Sequence, residues 1–76
     1  MKKFSVLIAG RHATSISLEE EFYQALNAIA KREKIPLSTL ITEIDKTRET
    51  ENLSSALRLY ILKDLQEQLN TLLSKI

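Results

Sequence analysis

Polar and apolar residues alternate over Thr14–Leu18, and the period of the pattern changes immediately after that segment. An alternation of period two is typical of a half-buried strand, whereas apolar residues at i, i+3, i+4 and i+7 are typical of an amphipathic helix. The helical pattern comprises Phe22, Ala25, Leu26, Ile29 and Ala30. Ser17 and Glu20 have the spacing of a capping box, which marks a helix start. The chain therefore predicts a strand that leads directly into a first helix over residues 18–34.

A second β-forming segment, Phe4–Ile8, stops just before Gly10, the only glycine of the chain. We predict a short strand there and a turn or bulge at Gly10, so that the strand region spans residues 1–18. The Thr14–Leu18 strand needs a partner, because its backbone N–H and C=O groups require hydrogen bonds. That partner comes either from elsewhere in this chain or from a second copy.

Two further helices are predicted after a break around Pro36, since proline is tolerated in the first turn of a helix. The second helix covers residues 37–48, and its apolar positions again have helical spacing: Leu37, Leu40, Ile41 and Ile44. Two amphipathic helices with so short a connection form a helix-turn-helix corner. After a polar connector, Asn52 is a favourable N-cap for a third helix over residues 52–75, which no glycine or proline interrupts.

The apolar positions of the third helix change their spacing part-way along. Its first half places one set of residues on a single face: Leu53, Ala56, Leu57, Tyr60 and Ile61. Beyond that set, apolar residues step by three and four, as in the a and d positions of a coiled coil: Leu62, Leu65, Leu69, Leu72 and Ile76. Soluble proteins rarely leave such a stripe exposed. We call these five residues the oligomer tail and expect them to pack on the same stripe of another chain. The alternative is that the tail folds back onto the core of the dimer that its own chain would form.

Seventy-six residues without cysteine form at most a single domain, residues 1–76, with no disulfide or thiolate metal site to stabilise a small core. Oligomerisation is the remaining common source of stability. The net charge of +1 neither favours nor excludes nucleic acid, but residues 1–16 carry basic side chains and no acid. Local positive charge favours phosphate contact. The alternative interpretation is a basic arm that serves solubility.

No pattern typical of a catalytic or metal site occurs in the chain. His12 has no cysteine or acid at ligand spacing, and Glu19–Glu21 is explained by the positive end of a helix dipole. We therefore expect no enzymatic activity, no metal and no cofactor. The apolar run after Lys3 is shorter than a signal peptide needs, and nothing approaches a membrane-spanning length. A cytoplasmic location without membrane contact is expected.

Three motifs follow one another in the chain: Thr14 to Glu19 with Phe22, then Leu37 to Asp45, then Asn52 to Arg58. Together they resemble the ribbon-helix-helix superfamily of small bacterial proteins, which includes the Arc- and MetJ-like repressors. The resemblance covers roughly residues 3–62. It implies a mainly α fold with a short N-terminal β-ribbon, to which this chain adds a long third helix at the C-terminus.

The resemblance also implies an intertwined homodimer, in which the strand of one copy pairs antiparallel with that of the other. A two-stranded ribbon fits the width of the DNA major groove. The dimer core would comprise Ile16, Leu18, Phe22, Leu26, Ile29, Leu40, Ile41 and Ile44. The oligomer tail would then tighten this dimer or join two dimers into a tetramer.

By the same resemblance, the outward positions of the ribbon contact DNA bases: Arg11, Ala13, Ser15 and Ser17. The start of the second helix would contact phosphate through free N–H groups and the helix dipole: Lys34, Leu37, Ser38 and Thr39. Pro36 departs from the family pattern and is expected to remove one donor. The implied function is a transcriptional regulator that binds double-stranded DNA. The alternative is a homo-oligomeric interaction or structural module with the same fold and little DNA binding.

Overall fold

The structure is a computed structural model that describes residues 1–10 and 12–75, so the predictions made for Arg11 and Ile76 lie outside the described residues. Its elements are β1 (Lys2–Ile8), β2 (His12–Leu18), α1 (Glu20–Glu33), α2 (Leu37–Thr47) and α3 (Leu53–Ser74). A two-stranded ribbon therefore precedes three helices, of which the last is the longest. This order confirms the predicted mainly α fold with an N-terminal ribbon and a long third helix.

The ribbon is an antiparallel hairpin whose register runs from Lys2↔Leu18 to Ile8↔His12. Its turn includes Ala9 and Gly10, with φ angles of 54° and 69°. Positive φ is typical of tight hairpin turns and is easiest for glycine. Of the two alternatives for the Thr14–Leu18 partner, the structure therefore contains the one within the chain. Strand pairing between two copies stays a prediction.

The start of α1 differs from the prediction. Glu19 is the N-cap, the helix begins at Glu20, and no side chain donates or accepts a cap hydrogen bond there. The predicted capping box of Ser17 and Glu20 does not form, so this prediction is wrong. The physical reason is the ribbon, because Ser17 and Leu18 pair with Lys3 and Lys2 and so keep an extended backbone.

The turn from α1 to α2 is closed by backbone hydrogen bonds. Lys34 has a left-handed backbone (φ 59°, ψ 40°), and its N–H donates to the Lys31 carbonyl at 3.1 Å. The Ile35 N–H donates to the Ala30 carbonyl, also at 3.1 Å, which completes a Schellman-type helix end. Pro36 then stands as the N-cap of α2, rather than in its first turn.

The connection from α2 to α3 is held by polar contacts. Arg48 forms an ion pair with Asp45 at 2.9 Å and donates to the carbonyl of Thr50 at 3.3 Å. The Asn52 side chain accepts a hydrogen bond from the Ser55 N–H at 3.1 Å, as expected for an N-cap. The helix α3 therefore has the fixed start that its sequence predicted.

Apolar side chains from all five elements meet in one core, in which the described residues include no buried polar side chain. Seven of the eight residues predicted for a dimer core are buried within this single chain, and Phe22 is half-buried against them. The remaining buried residues are Val6, Ala30, Ala56, Leu57 and Ile61. The burial of these residues does not depend on a second copy.

Candidate nucleic-acid interface

The ribbon has one face against the helices and one face toward solvent. Because side chains alternate along a strand, the solvent face consists of the cross-strand pairs Lys3↔Ser17, Ser5↔Ser15 and Leu7↔Ala13. We call these six residues the outer face. All are exposed except Ser17, which is half-buried. Ala13, Ser15 and Ser17 thus lie on the side of the ribbon that the alternation predicted.

The inner face fixes the orientation of the outer one. Ile16 and Leu18 are 3% and 0% exposed, and Val6 is buried with them in the core. The ring of Phe4 lies 4.8 Å from that of Tyr23 on α1, measured between centroids. A shift of register by one residue would move these apolar side chains into water, so the outer face is strongly specified.

The Ser17 side chain is not used to cap α1, because Glu19 takes the N-cap position. Its backbone carbonyl accepts a hydrogen bond from Ser54 Oγ on α3 at 3.1 Å. This bond ties the end of β2 to the third helix. The Ser17 hydroxyl therefore stays on the outer face, without the competing cap role that the sequence predicted.

The N-terminus of α2 offers backbone N–H groups. The first intrahelical bond of α2 runs from the Leu40 N–H to the Pro36 carbonyl, so the amides of Leu37, Ser38 and Thr39 precede it. No side-chain hydrogen bond caps α2 in the described part of the chain. Pro36 has no N–H, so as the N-cap residue it removes one of the four unpaired donors at this helix start, as expected. The three N–H groups that remain, together with the helix dipole, favour an anion.

A side-chain hydrogen bond joins the tip of the ribbon to this helix start. The Ala9 N–H donates to Thr42 Oγ1 at 3.1 Å, and Thr42 Oγ1 donates to the Ser38 carbonyl at 2.8 Å. Between the tip and the helix lies an open cleft lined by Leu7, Ala9, Gly10, Ser38, Thr39, Thr42, Glu43 and Lys46. Ser38 and Thr39 are thereby brought next to the ribbon.

The other predicted phosphate contacts lie outside this cleft. Lys34 is exposed at the end of α1 and does not line the cleft, and Leu37 packs partly buried against the core. Leu37 can therefore contribute its backbone amide but not its side chain. Arg11, which was predicted to contact bases, lies outside the described residues.

Four residues of this surface were missed from the sequence: Lys3, Ser5, Leu7 and Lys46. The first three alternate with Phe4, Val6 and Ile8, so the period of β1 itself carried the signal. Lys46 follows Thr39 and Thr42 at the spacing of one helix face, which places all three in the cleft.

The charges on this surface favour anions only in part. Lys3 is exposed on the outer face, and Lys46 lines the cleft. The Nζ of Lys2 lies on the other side of the ribbon, 5.3 Å from the centroid of the Tyr23 ring, where it makes a cation–π contact. Glu43 lines the same cleft as Lys46 and opposes an anion there. The positive charge of this surface is thus that of Lys3 at the open end of the ribbon and of Lys46 in the cleft, where Glu43 opposes it.

A second polar contact holds the ribbon against the helices. Glu19, which follows β2, accepts hydrogen bonds from Arg58 on α3, with its Oε1 2.9 Å from Nε and 2.8 Å from Nη2. A hydrogen bond to its own backbone and the one to Arg58 lower the pKa of Glu19 below its ordinary value. Both interactions favour the ionised carboxylate. The pair thus fixes the junction of β2, α1 and α3.

Other kinds of site have little support. Among residues 1–10 and 12–75, no three His, Cys, Asp or Glu side chains come together as a metal site would need. Within the same ranges, none of the helices combines the length and the apolar character that crossing a membrane takes.

A family model described as "Ribbon-helix-helix domain" matches residues 1–65. The match takes in the ribbon, α1, α2 and the part of α3 that packs on them, and it ends at Leu65 within α3. No curated protein and no solved structure matches the chain.

Proposed function

The chain belongs to the ribbon-helix-helix family, and on that premise we propose that it is a cytoplasmic transcriptional regulator that binds double-stranded DNA. Domains of this family generally bind DNA as transcription regulators and are typically not enzymes. In the proposed complex, the β1–β2 ribbon enters the major groove with its outer face toward the bases. The start of α2 contacts a phosphate of the DNA backbone.

The observation that carries this proposal is the outer face itself. It is exposed apart from the half-buried Ser17, it is built from four short side chains together with Lys3 and Leu7, and its two strands belong to one chain. A two-stranded ribbon fits the width of the major groove, and short side chains allow its backbone to approach the base edges. Lys3 can donate to guanine O6 and N7, serine hydroxyls can bond to any base, and Ala13 can contact a thymine methyl group.

The α2 N-terminus supplies the second contact. Its free amides at Leu37, Ser38 and Thr39 lie beside the ribbon tip, where the Ala9–Thr42 hydrogen bond holds the two elements together. A phosphate bound there would fix the depth and direction of the ribbon without reading sequence. Lys46 adds positive charge in the same cleft, and Lys34 precedes the helix by three positions in the sequence.

We propose further that the active particle contains at least two copies, since the family typically forms dimers. In the intertwined arrangement, β2 of one copy pairs with β2 of the other through the strand edge that β1 does not use. This pairing would join the two ribbons into one four-stranded sheet, of which the β1–β2 ribbon of one copy enters the groove. One carbonyl of β2, that of Ser17, is already bonded to Ser54 and would stay outside such a ladder. Dimerisation at this edge predicts a thermal midpoint that rises with protein concentration.

The test is a titration with duplex DNA at two salt concentrations. Binding through phosphates predicts an affinity that falls steeply as salt rises. Lys3→Ala should lower the slope of log K against log salt by about one unit, because one cationic contact is lost. Lys63→Ala is the matched control, since it removes the same charge from α3 and not from the ribbon or α2. Equal slopes for wild type and Lys3→Ala would contradict the proposed face.

A second candidate function is a homo-oligomeric interaction module with little DNA binding. Two observations favour it: Glu43 lies in the proposed phosphate cleft, and leucines stand exposed along the far end of α3. This candidate predicts no salt-dependent affinity for duplex DNA, together with stable assembly of the protein. The same titration, run beside a mass measurement, separates the two functions.

A further inference from the structure

The far half of α3 carries a row of exposed leucines. Leu62, Leu65, Leu69, Leu72 and Leu73, which we call the leucine face, are between 49% and 60% exposed. These residues lie in the last three turns of a helix that otherwise packs on the protein. Contiguous apolar surface of this kind is rare on soluble monomers and marks an interaction site.

The leucine face points away from the core. The buried positions of α3 are Ala56, Leu57 and Ile61. At 3.6 residues per turn, the centre of the leucine face lies roughly 130° around the helix axis from the centre of these three. Most of the leucine face is therefore displaced from the stripe that binds α3 to α1 and α2, and Leu65, four residues after Ile61, borders both. Folding of the tail onto the core of a dimer stays an untested alternative, since the structure contains one copy.

The side chains beside the first part of the leucine face are neutral. Gln66 and Gln68 flank it there, and Lys75 takes the position of Gln68 one heptad later, at the C-terminal end. The charged residues Lys63, Asp64 and Glu67 project roughly 120° or more from its centre. Two identical chains bring identical charges together, so a face that pairs with its own copy must avoid like charges at its edges. This placement of charge suits a second copy of the same helix.

The leucine face continues into a groove between α1 and α3. The groove is lined mainly by apolar side chains, among them Ala25, Ala28, Ile29, Ile61 and Leu65. Leu65 belongs both to the groove and to the leucine face. An ion pair between Arg32 and Asp64, at 2.6 Å, closes the polar side of the groove. The apolar surface available to a partner therefore extends from the tail to the body of the protein.

We propose that the leucine face packs against the leucine face of a second copy, with Leu62 and Leu69 at a positions and Leu65 and Leu72 at d positions. The steps of three and four between these leucines give the knobs-into-holes spacing, which any copy of the chain matches by identity. Ile76 continues the spacing but lies outside the described residues. Leu69 and Leu72 also lie beyond the family match, which ends at residue 65, so this contact is a feature of the present chain.

This contact is separate from the edge of the ribbon and does not rest on DNA binding. If copies also pair through β2, the leucine faces join two such dimers. If they do not, the leucine faces themselves form the dimer. In both cases each particle presents two or more ribbons. A duplex with two binding sites would then be held by two ribbons at once, which raises its apparent affinity without any new base contact.

The experiment compares particle mass in sedimentation equilibrium for the full chain and two double variants. Leu65→Asp with Leu72→Asp places charges at both d positions of the leucine face. Asn70→Asp with Thr71→Asp adds the same two charges to the same half of α3, away from that face. The proposal expects the first variant to fall to about half the wild-type mass or less, and the control to keep it. Circular dichroism reports whether α3 stays helical.

A milder double variant tests the same contact in case the aspartate substitutions unfold the tail. Leu65→Ala with Leu72→Ala keeps a high helix propensity while removing most of the apolar contact. It should raise the dissociation constant of the assembly by at least tenfold, on the order of what losing two buried leucine contacts implies. A wild-type protein that is monomeric would overturn the proposal. So would an unchanged mass for the aspartate variant, or an unchanged dissociation constant for the alanine variant.

Discussion

The two halves of α3 have similar leucine content and opposite surroundings. In the first half, Ala56, Leu57 and Ile61 are 6%, 0% and 2% exposed. In the second half, the leucines from Leu62 to Leu73 remain about half exposed. The change comes between Ile61 and Leu62, while the helix itself continues without a break to Ser74.

The difference shows that apolar content alone does not decide burial. The first half lies over α1, α2 and β2, and its apolar side chains other than the exposed Leu59 point toward them. Polar anchors at each end of this contact fix its position: Arg58 to Glu19 near the ribbon, and Arg32 to Asp64 where α3 leaves α1. Leu65 and Gln68 still line the groove with α1, and beyond them no neighbouring element in the described chain covers the apolar residues of the helix.

The largest expected effect comes from Leu57→Ala, in the first half. Leu57 is fully buried, so the change should cost about 2–5 kcal/mol of unfolding free energy through lost transfer and a residual cavity. Leu69→Ala in the second half should cost about 0.5 kcal/mol or less when tails are kept apart by dilution. Urea unfolding at low protein concentration measures both. Equal losses for the two variants would mean that the tail is buried on its own chain.

The same comparison applies to the two faces of the ribbon. Ile16→Ala should lower the free energy of unfolding by about 2–5 kcal/mol, because Ile16 is 3% exposed in the core. Ser15→Ala, one position away on the outer face, should stay within about 0.5 kcal/mol. Chemical unfolding of both variants measures this difference. A larger loss for Ser15→Ala would invert the assignment of inner and outer faces.

A smaller effect is expected at the start of α3. Asn52→Ala removes the side chain that accepts from the Ser55 N–H, and should cost about 1 kcal/mol. Asn70→Ala is the control in the exposed half of the same helix, where alanine favours helix formation. Thermal unfolding followed by circular dichroism compares the two. If Asn52→Ala left the thermal midpoint unchanged, the cap would not contribute to the stability of the first half of α3.

The smallest effect concerns the ion pair between Glu19 and Arg58, which is partly exposed. Because folding lowers the pKa of Glu19, its contribution to stability is present above the ordinary pKa and is lost as pH falls through the lowered value. Glu19→Gln should therefore weaken folding slightly near neutral pH and flatten the acid limb of the stability curve. Urea midpoints measured from neutral to acid pH provide the readout. A steeper acid limb in the variant would contradict the assignment.

Local periodicity predicted most of the fold, because each helix carries its own apolar spacing. Asn52 was correctly identified as a cap since an N-cap bonds only to residues a few positions away. Ser17 had an equally good local pattern and failed as a cap. Its backbone is held extended by Lys3, which lies far from it in sequence. A local capping motif therefore does not form when the same residue pairs with a strand that is distant in the sequence.

The candidate interface was harder to predict than the fold. The alternation in β2 indicated Ala13, Ser15 and Ser17, but the contribution of Lys3 and Ser5 depended on knowing that β1 is the paired strand. The cleft beside α2 arises from the Ala9–Thr42 hydrogen bond, between residues 33 positions apart. No periodic signal encodes such a contact. The uncapped amides of α2 likewise follow from Pro36 standing one position earlier than the first helical turn.

The pairing of β1 with β2 in one chain has a consequence for the order of events in folding. Its closest partners, Ile8 and His12, are 4 positions apart, and its farthest, Lys2 and Leu18, are 16 apart. A hairpin of this size zips within about 1–10 μs and needs no encounter between molecules. A two-stranded hairpin is only marginally stable alone, so it becomes stable only when the helices pack on its inner face. Refolding should therefore begin with a first-order phase whose rate does not change with dilution, followed by a slower second-order phase as copies meet.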